Sequence, residues 1–450
     1  MNESEVKLIA TSKGTENDVL GPEELTAYGA YGCFEQGASY EVFKEHYKGN
    51  TEEEFKEEVK EVLKQSAGRG HGAVADQNAF TFSIKNLPRA ATLQLCLPEY
   101  LMHLQQSMRR ATAERGYVLP DEIKNSDMYE EVKEVLDNAF ETYMELVENE
   151  IPKEDARFLL PLYTRTNIQT TGNARELMHL HHMTKKEPVP TPVKEIIDEM
   201  IEQAREKAPN TFKDWGHNYE RLAWYPSAQL YAEENATLNK IIEEYDYPEE
   251  TTYVEKELSE EAIEKAVEQR NEAELSNLKH IHNGSKVEGF LAPMSIACYH
   301  QSTRQRTWNH AVESFYDAAE RGNMVVPPTV KNSEYTEKFK EQHREMIRLY
   351  KKLISKGISK KEAIGVIPHS VEMYDFIHVN GWNSIHSIGK RTCTKAQWEI
   401  RSIANNIAEK IREKNPALGK YTYPQGVVYG ECPEADPCDL CEKIRKQREE

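Results

Sequence analysis

The pattern of apolar and polar residues predicts strands and helices at the start of the chain. A short apolar run over residues 6–10 predicts a strand, and a charged segment over 51–66 has the spacing of an amphipathic helix. The segment 70–77 and residues 79–84 after it alternate between apolar and polar side chains, which predicts a second, half-buried strand. The chain therefore opens with mixed strands and helices.

The sequence also repeats itself at a fixed separation. Gln94 aligns with Gln301, a separation of 207 residues, and later matches keep this register: Ser107 with Ser314, Tyr143 with Tyr350, Pro161 with Pro368, Asn173 with Asn380 and Pro209 with Pro416. This period is far longer than that of a solenoid repeat. The sequence therefore predicts two copies of one domain, residues 1–213 and 214–450.

Composition limits the class of partner. The chain has 450 residues, too many for one ordinary core, and 57 basic against 76 acidic residues give a net charge of -19. This charge argues against a nucleic-acid partner but not against an anionic small substrate held by a local arginine cluster. No apolar run approaches the roughly 18 residues of a membrane span, and the start lacks a signal-peptide pattern. We expect a soluble cytoplasmic protein without a membrane partner.

Seven cysteines, an odd number in a chain of this length, fit reduced thiols better than a disulfide framework. Three of them, Cys432, Cys438 and Cys441, have the spacing C-x5-C-x2-C. A tetrahedral zinc site needs four ligands, and the tail offers no evident fourth. We therefore assign no metal site from the sequence, although metal binding by these thiols stays an alternative.

Two arginines are placed to hold phosphate. Arg304 and Arg306 lie two residues apart in the segment 300–314, HQSTRQRTWNHAVES, and each guanidinium is a planar fork that matches phosphate oxygens. Both can reach one polyanion from an extended or turning backbone. The alternative is that they are solvated charges on a helix surface, as a lone Arg-x-Arg usually is.

Several motifs in combination resemble those of the flavin-dependent thymidylate synthases. The family's Arg-His-Arg, followed after seven residues by Ser, is matched by Arg304, Arg306 and Ser314, with Gln301 at the family's upstream glutamine. Gln305 stands where the family has histidine. This departure puts turnover in question.

Further matches extend over both halves of the chain. His71 lies in a Gly-His segment, Glu154 and Arg157 in a Glu-x-Ala-Arg-x-x-Leu-Pro segment, Asn173 and Arg175 in Asn-x-Arg, and Arg391 shortly before Ala-Gln-Trp-Glu-Ile. Considered alone, His71 is more often a structural histidine. Glu154 and Arg157, three apart on a helix, are equally typical of a surface ion pair.

The resemblance implies an α+β fold, two copies of the family's sheet flanked by long helices. It implies FAD as cofactor, NADPH as reductant, methylenetetrahydrofolate or a related pterin as carbon donor, and reductive methylation of dUMP to dTMP. Because the family forms tetramers, a two-copy chain is expected to form a homodimer. The alternatives are a diverged flavin- or nucleotide-binding relative without this activity, and a non-catalytic assembly kept for a partner interaction.

The resemblance also implies site residues. Those expected to bind FAD are His71, Asn173, Arg175, Arg304, Gln305, Arg306 and Asn380. Those expected to bind dUMP are Gln94, Gln105, Ser107, Arg109, Arg157 and Arg391, with Gln301 and Ser314 as second-copy equivalents. Ser107, Arg109 and Arg391 are expected to act in catalysis, the serine as a ligand contact because the flavin carries the chemistry.

The two copies keep different parts of this set. The first copy has Thr184 where the second has Arg391. It keeps the other members of the set: Gln94, Ser107, Arg109 and Arg157. The second keeps Arg391 but has Tyr316 and Ile364 where the first has Arg109 and Arg157. We therefore expect one competent dUMP pocket per chain, although Leu97 replaces an arginine on its phosphate side.

Overall fold

The structure is a computed structural model that describes residues 4–15, 20–213, 225–282 and 286–449. The chain divides into two compact units. Unit 1 is Met1–Ser107, Ala111–Asn125 and Tyr163–Tyr225, and unit 2 is Met108–Arg110, Ser126–Leu162 and Pro226–Glu450. Unit 2 thus takes residues from both predicted copies, and the copy boundary at 213/214 stays a prediction.

The described residues form nine strands: β1 (Glu5–Thr11), β2 (Phe80–Pro88), β3 (Met102–Gln105), β4 (Arg165–Gly172), β5 (Thr252–Glu257), β6 (Ile281–His282), β7 (Lys286–Ser295), β8 (Asn309–Val312) and β9 (Glu372–His378).

The same residues form 23 α-helices: α1 (Pro22–Phe34), α2 (Ser39–Gly49), α3 (Glu52–Gln65), α4 (Gly72–Ala75), α5 (Arg89–Leu95), α6 (Asp121–Lys124), α7 (Tyr129–Glu148), α8 (Lys153–Ala156), α9 (Ala174–Lys186), α10 (Thr191–Lys207), α11 (Ala236–Glu244), α12 (Glu260–Gln269), α13 (Glu272–Leu278), α14 (Ile296–Ser302), α15 (Phe315–Arg321), α16 (Pro328–Lys331), α17 (Thr336–Ser355), α18 (Lys360–Ala363), α19 (Gly381–Arg391), α20 (Trp398–Lys414), α21 (Pro416–Gly419), α22 (Gln425–Val428) and α23 (Leu440–Glu449). Short 3-10 turns occur at Ala67–Arg69, Arg157–Leu159 and Ile364–Val366.

Unit 1 is built on an antiparallel sheet with strand order β1-β2-β4-β3. Alternate residues of β2 face the core: Phe80, Phe82 and Ile84 are buried, whereas Ser83 and Lys85 are exposed. Helix α10 packs on β1 and β2. The predicted first strand is confirmed, and the alternation that predicted the second is correct from Phe80 onward.

Helices α1, α2 and α3 of unit 1 form a core of their own around Phe43, Phe55 and Leu63. Helix α3 begins at a capping box: the Thr51 hydroxyl accepts from the Glu54 amide at 3.3 Å, and the Glu54 carboxylate accepts from the Thr51 amide at 2.8 Å. The charged helix predicted over 51–66 is confirmed.

Unit 2 contains an antiparallel sheet with the order β5-β7-β9-β8, and β6 pairs with β7. The order repeats that of unit 1, with β5 in the position of β1. Val254, Val287, Leu291 and Phe376 lie in the core on this sheet. Both sheets combine with long helices, so the predicted α+β fold is confirmed.

The repeat of 207 residues is also a repeat of elements. Helices α6, α7 and α10 begin and end 207 residues before α16, α17 and α20. Within unit 2, α7 packs on α17, its own equivalent, and both helices have 20 residues. They run antiparallel, since Lys352 pairs with Glu131 and Lys338 with Glu145.

Equivalent residues of the two copies also meet at a local twofold relation in unit 2. Pro161 forms a bridge with Pro368, its own counterpart. On either side, the Leu162 amide donates to the Ile367 carbonyl and the His369 amide donates to the Leu160 carbonyl, both at 3.0 Å. The two copies therefore contact through the same patch, as in an isologous dimer interface.

Some local predictions were wrong or lie elsewhere. The segment 70–77, predicted to belong to a strand, contains helix α4, because its small residues let the chain turn before β2 begins. The charge-rich run 255–277, whose pattern predicts solvated helices, contains α12 and all but the last residue of α13 as predicted, and only residues 255–257 belong to β5. The sequence also predicts a first strand of the second copy over 218–224, which lies outside the described residues. Among the described helices, none has the length and apolar composition to cross a membrane.

A buried carboxylate joins β7, α14 and α20 in unit 2. Glu399 is 6% exposed, and its two oxygens accept from the amide and the hydroxyl of Ser295, both at 2.6 Å. The Ser295 hydroxyl also accepts from the Cys298 amide and so caps α14. Burial, opposed by the bonds from Ser295, raises the pKa of Glu399 to about 7.

This raised pKa makes stability depend on pH. The folded protein binds the Glu399 proton more tightly than the unfolded chain does. The stability that protonated Glu399 contributes is therefore full below pH about 4.5 and is lost as pH rises through about 7. In the parent protein the free energy of unfolding should fall as pH rises through this range. In Glu399→Gln we expect it to fall less steeply, by up to about 1.4 kcal/mol per pH unit. Urea unfolding at a series of pH values measures it.

Glu409→Gln, at an exposed position of the same helix, is the matched control and should leave the pH profile as in the parent protein. An unchanged profile for Glu399→Gln would contradict the assignment.

Candidate active site

Four arginines of unit 2 form a cluster in which Arg304 and Arg109 act on Arg391, and Arg109 acts on Arg157. They are Arg109, Arg157 in the 3-10 turn after α8, Arg304 after α14, and Arg391 at the end of α19. The pKa of Arg391 is lowered to about 10, first by burial and then by the charges of Arg304 and Arg109. Three of the predicted dUMP residues, Arg109, Arg157 and Arg391, are thereby brought into one neighbourhood.

Arg157 is the most buried member of this cluster. It is 4% exposed, and its Nε donates to the Glu154 carbonyl at 3.1 Å. Its Nη2 is buried and has no hydrogen-bond partner among the described residues. Burial and then the charge of Arg109 lower the pKa of Arg157 to about 10, so the group stays charged at neutral pH. A buried guanidinium with a free donor is arranged for an anion.

One carboxylate, that of Glu154, contacts the arginine cluster directly. Glu154 accepts from Arg109 Nε at 2.5 Å, and both side chains are partly exposed. The interpretation of Glu154 and Arg157 as a surface ion pair was wrong, because the turn at Arg157–Leu159 directs Arg157 into the interior. Glu154 instead orients Arg109.

The backbone that carries Arg157 is fixed from the second copy. The Asp155 carboxylate accepts from the Thr329 hydroxyl at 2.6 Å and from the Trp398 indole at 2.8 Å. Phe158 stacks on the same indole, with 6.1 Å between the ring centres. These contacts make the position of Arg157 depend on residues more than 170 positions away.

Gln305, predicted to contact FAD, binds Arg391 in the structure. With its amide oxygen toward the guanidinium, Gln305 accepts from Nη2 at 2.6 Å and from Nε at 2.8 Å of Arg391. The Gln301 carbonyl accepts a third, longer bond from Arg391 at 3.5 Å. The loop of Arg304 and Arg306 is thus tied to the predicted uracil-binding arginine.

Cys298 is a member of the site that sequence reasoning missed. It is fully buried in α14, and its thiol influences the pKa of both Arg157 and Arg391. Burial and then the charge of Glu399 raise the pKa of Cys298, so it stays a neutral thiol and is a poor nucleophile. Nothing in the local sequence indicates its position, since the first copy has Ala91 there.

The remaining predicted dUMP residues of the first copy lie in unit 1. Gln94 is fully buried, and neither polar atom of its side chain has a hydrogen-bond partner among the described residues. Gln105 donates to the Thr92 hydroxyl at 3.2 Å, and Ser107 is exposed. The orphaned amide of Gln94 is the feature here that indicates a ligand.

A second polar group of unit 1 brings together two of the predicted FAD residues, Asn173 and Arg175. Asp76 pairs with Arg175 at 3.0 Å and accepts from the Asn173 amide at 3.2 Å. Arg175 packs so closely on Gly72, the neighbour of His71, that a Cβ there would lie 2.7 Å from the guanidinium carbon. Asn173 also caps α9 through the Glu176 amide at 2.9 Å, so part of its role is structural.

The second-copy residues predicted to bind FAD are less concentrated. Arg304 and Arg306 are both exposed, and no carboxylate of the described residues pairs with either. Asn380 caps the start of α19, whereas Arg391 ends it, roughly 15 Å away along the helix. Ser314 is fully buried and caps α15 through the Asp317 amide at 3.1 Å, so its hydroxyl is already engaged.

Fold and site together define the class of protein: a duplicated α+β chain with a cluster of arginines in unit 2. The model of the family described as thymidylate synthase complementing protein matches residues 17–210 and 219–417. The chain belongs to this family and carries its domain twice.

Similar curated proteins are flavin-dependent thymidylate synthases. The one from Pyrococcus furiosus is 32% identical over 152 residues, which cover 32% of this chain and 62% of that protein. The one from Geobacter sulfurreducens is 33% identical over 164 residues, 35% of this chain and 70% of that protein. The chain therefore matches about two thirds of the length of these relatives.

Among solved structures, the chain is similar to a UMP/dUMP methylase, PolB from Streptomyces cacaoi, bound with 5-Br dUMP. The similarity has a TM-score of 0.40 at 14% identity and covers 48% of this chain and 97% of that one.

The unpaired charge of Arg157 gives a test that separates a binding role from a structural one. We expect Arg157→Met to leave the free energy of unfolding unchanged or raise it by about 1–4 kcal/mol, because it removes a buried charge and fills the same volume. Arg321→Met is the matched control. Arg321 pairs with Glu313 at 2.5 Å and with Glu372 at 3.2 Å, so its loss should cost about 3 kcal/mol or more.

Urea unfolding without nucleotide measures both variants. Equal destabilisation by the two substitutions would mean that Arg157 is a structural residue.

Proposed function

We propose that this protein catalyses the reductive methylation of dUMP to dTMP, with FAD as cofactor, a reduced nicotinamide such as NADPH as reductant, and methylenetetrahydrofolate or a related pterin as carbon donor. Two findings support the proposal: the family match in both halves of the chain, and the arginine cluster of unit 2. The observation that carries it is the buried, unpaired donor of Arg157 in the neighbourhood of Arg109.

The nucleotide is proposed to enter as the counter-ion that this cluster lacks. A 5′-phosphate brings about two negative charges and several acceptor oxygens, which match the forked donors of Arg109 and Arg157. Low exposure strengthens such bonds, because little water competes. Arg391, held by Gln305, is proposed to bind the uracil carbonyl edge as in the family, and the pair fixes the guanidinium before the substrate arrives.

Arg304 and Arg306 are proposed to bind the diphosphate of FAD. They fit this group, because both are exposed and no carboxylate of the described residues neutralises them. When bound, the flavin supplies the hydride for the reduction. The role of the protein itself is to align phosphate, uracil and flavin. The hydrogen bonds between Gln305 and Arg391 connect the loop that carries Arg304 and Arg306 to the end of α19.

The counterparts of the site residues in the other copy are proposed to be inactive. Ile364 is fully buried and apolar, and Tyr316 is 3% exposed. Thr184 is 3% exposed, and its hydroxyl donates to the Leu180 carbonyl at 2.8 Å. None of the three offers a charge to phosphate. This supports one dUMP site per chain. Gln94, Gln105 and Ser107 stay predicted dUMP residues.

Calorimetric titration with dUMP tests this division. We expect one site per chain, and we expect Arg391→Ala and Arg109→Ala each to weaken binding about 10- to 150-fold, the effect of losing one charge-assisted bond worth about 1.5–3 kcal/mol. Thr184→Ala, at the counterpart of Arg391, is the control and should bind normally. Two equivalent sites per chain, or normal binding by Arg391→Ala, would refute the division.

Formation of dTMP from dUMP, NADPH and methylenetetrahydrofolate by the flavin-containing protein tests the activity itself. Arg304→Ala combined with Arg306→Ala should release the flavin and stop turnover, whereas Arg344→Ala, exposed on α17, should do neither. Gln105, where the family has glutamate, and Gln305, where it has histidine, favour the alternative of a nucleotide- and flavin-binding relative without turnover. Flavin and dUMP binding without any dTMP would support that alternative.

We propose further that two chains form a homodimer with four family domains, in analogy to the family's tetramer. Light scattering that gave the mass of a single chain would exclude it. A cytoplasmic location stays a prediction.

A further inference from the structure

In the C-terminal tail of unit 2, the cysteines are more buried than most residues around them. Between residues 431 and 440, only Cys432, Cys438 and Leu440 are not fully exposed. Cys441, in the first turn of α23, is 5% exposed. A polar segment with so little apolar surface has no core to hold it. The cysteines are therefore the part of the tail that is placed by its contacts.

A fourth cysteine lies where the tail docks. Cys393 follows the end of α19, and the hydroxyl of its neighbour Thr394 lies 3.1 Å from the Cys438 sulfur. Lys395 pairs with Asp436 at 2.9 Å, which fixes the same two segments side by side. A cysteine from a segment about 40 residues upstream therefore lies next to the residues that contact the C-x5-C-x2-C tail.

The other two cysteines of the tail meet at Gly426 in α22. A Cβ at Gly426 would lie 2.7 Å from the Cys441 sulfur and 3.2 Å from the Cys432 Cα. A side chain there would enter the space in which the two cysteines approach each other. The glycine is required by this close approach.

These contacts place the four cysteines in one region of unit 2. Cys432 approaches Cys441 at Gly426, Cys438 is three residues before Cys441, and Cys393 precedes Thr394, which contacts Cys438. None of these four cysteines forms a disulfide. Among the described residues, no three or more metal-ligating side chains are already arranged around a common point. The four sulfurs would have to draw together to Zn–S distances of about 2.3 Å.

We propose that Cys393, Cys432, Cys438 and Cys441 bind one zinc ion as a structural tetrathiolate site. Four thiols each lose a proton on binding, and the cation offsets the repulsion between the thiolates. The site attaches the polar tail, which has no core of its own, to Cys393, two residues after Arg391. The zinc thereby holds the end of the helix that carries Arg391, without contact to substrate.

Metal analysis of the full-length protein, purified with reductant and without chelator, tests the proposal. We expect about one zinc per chain. Cys393→Ser and Cys438→Ser should each lower the zinc content at least about tenfold, since neither leaves a complete tetrahedral set. Cys33→Ser, an exposed cysteine of unit 1, is the matched control and should keep the full content.

Cobalt replacement tests the ligand set in the unmutated protein, so the result does not depend on a variant that fails to fold. Cobalt bound by four thiolates gives strong visible bands and a sulfur-to-metal charge-transfer band, and four protons should be released per ion. Absence of zinc after reduction and reloading, full zinc retention by Cys393→Ser, or a disulfide between any two of the four cysteines in the native protein would each overturn the proposal. None of these measurements depends on thymidylate synthase activity.

Discussion

The candidate site depends on positive charge that is held in the interior of unit 2 without an equal number of counter-charges. Arg157 loses most of its hydration, and its nearest ionic neighbour of opposite sign, Glu154, is engaged by Arg109. Such an arrangement is unfavourable in the free protein and becomes favourable when an anion completes it. The surrounding contacts therefore have to hold Arg157 in place, and Asp155 does so through Thr329 and Trp398.

Duplication within one chain makes this arrangement possible at low structural cost. In unit 2 the copies meet through identical patches, as α7 on α17 and Pro161 opposite Pro368 illustrate. A homo-oligomer would place the same residues at every equivalent site. A fused pair can keep the buried arginine in one copy and replace it with Ile364 in the other, where an apolar residue packs without the desolvation cost of a charge.

Acidic and basic groups act on different length scales in this protein. The net charge of -19 is distributed over a surface where salt screens it within about 10 Å, so it contributes to solubility more than to the site. The arginines act at hydrogen-bond distance in a partly dehydrated environment. An acidic protein can therefore bind an anionic nucleotide.

The sequence by itself determined the duplication, the α+β fold and the family, because these rest on patterns repeated in register along the chain. It also identified Arg109, Arg157 and Arg391 as members of one set. Tertiary structure alone decided that Arg157 is buried, that Gln305 holds Arg391, and that the buried thiol of Cys298 acts on both arginines. It likewise decided that Cys393 faces the C-terminal tail. The physical reason is range: periodicity and capping depend on near neighbours, whereas the partner of a buried charge or thiol is set by how distant segments pack.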